Sequence, residues 1–99
     1  MIALSSCKNN VKVDLPFDEE KVVSLLGDVH FAKSAAMIHK IENRDSMRSF
    51  YESQVFTINE VTREDYNQLI NVLESDLKLY YDIEKKVHSY LKTVQNDKN

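Results

Sequence analysis

One glycine, one proline, one cysteine and no tryptophan occur among the 99 residues of this chain. All-β domains turn at hairpins rich in Gly, Pro and Asn-Gly pairs, so the scarcity of both turn residues leaves long helices as the economical use of the sequence. A chain with one glycine cannot form a glycine-rich phosphate loop. Cys7 by itself can make no intramolecular disulfide, zinc finger or Cys-x-x-Cys redox pair, which points to a reducing compartment and a cytoplasmic location. No stretch approaches the eighteen or so consecutive apolar residues of a membrane span. Basic surplus is lacking as well: 13 Lys and Arg stand against 16 Asp and Glu, a net charge of −3. General nucleic-acid binding, which needs cations to displace phosphate counterions, is disfavoured, and no helix-turn-helix turn signature is present.

What the chain does have is 42% hydrophobic residues, enough for one core in one domain. Residues 1–17 read as an N-terminal arm and 18–99 as a helical domain. Within the arm, Leu4-Ser5-Ser6-Cys7 followed by Lys8-Asn9-Asn10 resembles the end of a bacterial lipoprotein signal, but a signal needs about seven or more apolar residues before that point and only Met1, Ile2 and Ala3 precede Leu4. The segment reads as a tail. Val11 to Leu15 alternate like a half-buried strand, whose one candidate partner is Val55-Phe56-Thr57-Ile58. An extended arm is the competing reading.

Pro16 and the carboxylates of Asp18, Glu19 and Glu20 favour a helix start. A short first helix then buries Val22, Leu25 and Leu26; Gly27 is placed to end it and Asp28 to cap the next. The second helix is expected from Val29 to Ile41, with a small-residue face containing Ala32, Ala35 and Ala36, continuing with a bend to about Gln54. The last helix begins at Thr62, whose spacing to Asp65 is a variant capping box, and runs unbroken to about Val94. Tyr66, Leu73, Tyr80, Val87 and Val94 recur every seven residues, with Ile70, Leu77 and Leu91 four after them, a seam interrupted at Glu84. Leu69, Leu79, Ile83 and Tyr90 form a second apolar line beside it. Folded as an antiparallel hairpin about residues 55–61, the second and last helices would set the alanines against Tyr80 and Tyr81.

Few residues suggest chemistry. Glu84 and His88 share a helix face at i, i+4, the beginning of a metal site, but no second such pair exists and no metal or cofactor is expected. Glu84 itself interrupts the seam, so it either pairs with His30 or Lys33 or lies where the seam frays to solvent. Lys33, Lys40, Arg44 and Arg48 form a basic band able to receive an anionic molecule or nucleotide, against the simpler reading of a solvated face balanced by Glu42, Asp45 and Glu52. Cys7 has no histidine near it in sequence, and the serines are scattered without the glycine pattern of a nucleophile elbow. Tyr80, Tyr81 and Tyr90, with Leu79 and Ile83, are the candidate partner-binding surface, since tyrosine joins apolar area to a polar tip.

The sequence therefore describes an all-α protein: a small helical bundle built on an antiparallel helical hairpin, with a long C-terminal helix, a short first helix and an extended N-terminal arm. The expected function is non-catalytic, a module that self-associates or docks on a partner protein to modulate it. An anion-binding helical domain ranks second and a metal-dependent helical enzyme last.

Overall fold

The computed structural model describes residues 15–98, with side chains placed through residue 95. The described chain is all-α: α1 (Glu19–Ala36), a 3-10 turn (Ile41–Asn43), α2 (Arg44–Ile58), α3 (Arg63–Ser75) and α4 (Leu77–Lys98). The Cys7 tail and residues 11–14 of the expected strand lie outside the described residues. Val55 to Ile58, the strand's candidate partner, is the last turn of α2.

Helix α1 starts where its carboxylates predict. Asp18 is the N-cap, its side chain accepting from the Lys21 N–H at 3.2 Å, and Glu19 and Glu20 oppose the positive end of the dipole. It does not end at Gly27. That glycine is buried mid-helix without a positive φ, and the requirement it meets is space: a Cβ there would overlap Cδ2 and Cε2 of Tyr90. Asp28 consequently caps nothing. Its carboxylate accepts from Tyr90 Oη at 2.9 Å and from Asn59 Nδ2 at 3.3 Å, joining α1 to α4 and to the turn after α2.

The bent second helix is also replaced. Helix α1 stops at Ala36, the chain reverses through the 3-10 turn, and α2 packs back along α1 in the most extensive helix pair of the fold. An antiparallel hairpin is present, but it is made by α1 and α2 about residues 37–43 rather than by the second and last helices about residues 55–61. Nothing in the reversal uses Gly or Pro; Arg44 Nε secures it by donating to the His39 carbonyl at 3.1 Å, and His39 Nε2 lies 2.9 Å from Tyr51 Oη.

Thr62 and Asp65 form the full reciprocal capping box, at 3.0 and 3.2 Å. The helix they start ends at Ser75 instead of continuing to Val94. Asp76 adopts an extended conformation (φ −140°, ψ 95°) and its carboxylate accepts from the Leu79 N–H at 3.1 Å, acting as N-cap of a new helix. Ser75 Oγ bonds back to the Val72 carbonyl at 2.7 Å. Ser and Asp offer the backbone such local alternatives to helix continuation.

The core draws on both sides of this break. Leu69 and Leu73 before it, and Ile83 and Val87 after it, are buried against Val22, Leu25 and Val29 of α1 and against Phe56 and Val61. Leu69 and Ile83, from the second apolar line, are among the most deeply buried side chains, whereas Leu77 of the heptad seam is 76% exposed. Leu15 and Phe17 pack against the same core.

Candidate functional site

Two concavities flank this core. The larger is an open groove of about 1080 Å³ between α1, α3 and α4. It exists because α3 and α4, separated by the Asp76 break, meet less extensively than α1 and α4 do. Leu26, Val29, Ile70 and Leu91 contribute its apolar lining, and His30, Lys33, Glu74, Glu84, Lys85 and His88 supply charged and polar groups.

The partner-binding residues expected from sequence separate across this geometry. Tyr80 and Tyr81 line the groove at 42% and 70% exposure. Ile83 reaches the groove only as a core residue, 1% exposed, and so offers no side chain to a partner at the surface. Leu79 is half-buried against the core. Tyr90 is half-buried over Gly27 with its hydroxyl committed to Asp28. Conversely, Leu77 joins Tyr80 and Tyr81 as an exposed apolar residue at the start of α4.

Three tyrosines have hydroxyls that hold their protons above the usual range. For Tyr66 the main cause is burial, reinforced by the charge of Glu52 and opposed by Arg63. For Tyr90 burial again leads, followed by the bond to Asp28. For exposed Tyr80 the cause is its hydrogen bond to Glu84, at 3.1 Å. Glu84 is solvent-exposed and makes no ion pair among the described residues, so the seam frays there. Among the described residues the buried carboxylate is Glu52, which meets Arg63 at 3.5 Å while the guanidinium lies over the Phe56 ring.

The smaller concavity, about 230 Å³, lies along the α1–α2 hairpin and gathers Lys33, Arg44 and Arg48 of the expected basic band. Lys40 is exposed in the connection and does not line it. His30 joins the cleft instead; its spacing of three from Lys33 on one helix was the available signal. Among the described residues, no three His, Cys, Asp or Glu side chains come together as metal ligands, and no helix is long and apolar enough to cross a membrane.

No protein-family profile, curated protein or solved structure matches this chain, so the groove and the cleft are read from their own chemistry.

Proposed function

We propose that this chain is a non-catalytic protein-interaction module that self-associates through α4, at the mouth of the groove. The observation that carries the reading is the exposed stripe Leu77, Tyr80, Tyr81, Glu84, Lys85 and His88, bordering an apolar concavity. Contiguous exposed apolar surface with a polar rim is what association surfaces present.

The occupant is a second copy because the stripe is self-complementary. In a two-fold interface the same patch meets itself, so residue i faces j and j faces i. Two α4 helices laid antiparallel and centred between residues 84 and 85 set Glu84 against Lys85 of the partner subunit, twice. Tyr81 then faces the partner's His88, and Leu77 lies along the apolar stem of the partner's Lys92.

Light scattering across a wide concentration range tests this directly, and a dimer is expected. Glu84→Lys alone and Lys85→Glu alone place like charges across the axis and should shift the chain to monomer. The double exchange Glu84→Lys with Lys85→Glu restores opposite charges and should restore the dimer. A wild-type chain that stays monomeric throughout, or a dimer indifferent to both single changes, overturns the reading.

A further inference from the structure

The charged groups on the wall of the cleft along the α1–α2 hairpin are Lys33, Arg44 and Arg48. His30 and Lys33 reach it from α1, Arg44 and Arg48 from α2, and Ser34, Ala36 and Met37 complete it; no carboxylate lines it. The neutralisation available is slight. Arg48 meets Asp45 at 3.5 Å, but that carboxylate is 92% exposed and pairs within its own helix. Lys33 and Arg44 make no ion pair among the described residues. Arg44 is oriented through Nε, which donates to the His39 carbonyl, so its guanidinium is held in place by the hairpin reversal itself. Cations gathered in one concavity repel each other, and an anion seated among them converts that repulsion into attraction.

Size and shape narrow the ligand. About 230 Å³ falls below the ~300 Å³ at which drug-sized sites begin, so the cleft suits a small anion rather than a whole nucleotide. Two guanidinium forks match the spacing of phosphoryl oxygens, a lysine adds a point charge, and Ser34 and His30 supply polar groups beside them. We propose that this cleft binds a phosphoryl dianion, either free phosphate or the phosphate end of a small monoester. The proposal is independent of self-association through α4.

Calorimetric titration with inorganic phosphate and with glycerol phosphate, at constant ionic strength in chloride, tests it. Saturable binding of one anion per chain is expected. Preference for inorganic phosphate identifies the free anion as the ligand, and equal or tighter binding of the ester identifies a terminal phosphoryl group. Lys33→Gln with Arg48→Gln should weaken binding at least about tenfold, as loss of charge-assisted hydrogen bonds does. Lys78→Gln with Lys86→Gln removes the same charge from α4, outside both the cleft and the association stripe, and should leave binding unchanged. Arg48→Lys keeps the charge and loses the fork, and should still weaken binding several-fold if the double variant fails to fold. Absence of saturable binding, or equal weakening by both double variants, overturns the proposal.

Discussion

On one side of α4, Leu79, Ile83 and Val87 press into the core, and Tyr90 lies over the Gly27 backbone with its hydroxyl bonded to Asp28. On the other, Leu77, Tyr80 and Tyr81 are exposed beside Glu84, Lys85 and His88. Both sides carry aliphatic residues and tyrosine, and composition does not separate them. The difference comes from what stands opposite: the inner side meets α1, whereas the groove side faces the space left where α3 turns away at Asp76. Burial of a tyrosine here depends on a partner surface shaped for it, and α1 supplies one by having no side chain at residue 27.

The sharpest break of this comparison is truncation of one residue on each side. Ile83→Ala should cost roughly 2–5 kcal/mol in urea denaturation, the usual loss for emptying a packed site. Tyr81→Ala, measured at a concentration where the chain is monomeric, should stay within about 0.5 kcal/mol, as exposed substitutions do. Equal losses would mean that the outer side is packed within the monomer after all.

Gly27→Ala sharpens the comparison next. Alanine gains about 1 kcal/mol of helix propensity over glycine, but overlap with the Tyr90 ring costs on the order of 1–3 kcal/mol, so net destabilisation is expected. In a Tyr90→Ala background the overlap is gone and the same change should stabilise. A double-mutant cycle reads the reversal of sign.

The smallest effect is on alkaline stability. Tyr66 and Tyr90 hold their protons more tightly when folded, chiefly through burial. Above a pH of about 10, where unfolded tyrosine ionises, the unfolded chain binds fewer protons than the folded one, and stability falls with rising pH towards the raised folded values. Below that range the contribution is fully present. Tyr66→Phe should flatten the decline in denaturation midpoint between neutral and strongly alkaline pH. Tyr80→Phe should flatten it less, because the Tyr80–Glu84 bond lies in solvent.

The features readable from sequence were those whose causes are local. Scarce glycine and proline implied helices, Asp18 with Glu19 and Glu20 marked the first start, and Thr62 with Asp65 marked another. Where the cause was distant, the local signal misled. Gly27 resembled a helix end because glycine is common there; its actual reason is a ring on residue 90. The seven-residue seam through Leu77 and Tyr80 assumed one continuous helix; the break at Asp76 leaves Leu77 exposed, and the core takes Leu73 and Val87 from the seam together with Leu69 and Ile83 from the line beside it. Ser75-Asp76 was the available clue, a capping pair without the glycine or proline that would have made it conspicuous. The basic band was legible for Lys33, Arg44 and Arg48 because the hairpin folds them together, while Lys40 fell in the reversal where helical spacing no longer applies.

The closure of α1 on α4 also orders events during synthesis. Domains fold as units while the chain emerges from the ribosome, amino terminus first. Val22 and Leu25 are made well before Ile83 and Val87, with which they share one core. Helices α1 and α2 can pair as soon as both have emerged, but the nascent hairpin must carry an uncovered apolar flank until α4 has emerged as well. A ribosome stalled before residue 83 would hold a chain that is helical, sticky and unfinished.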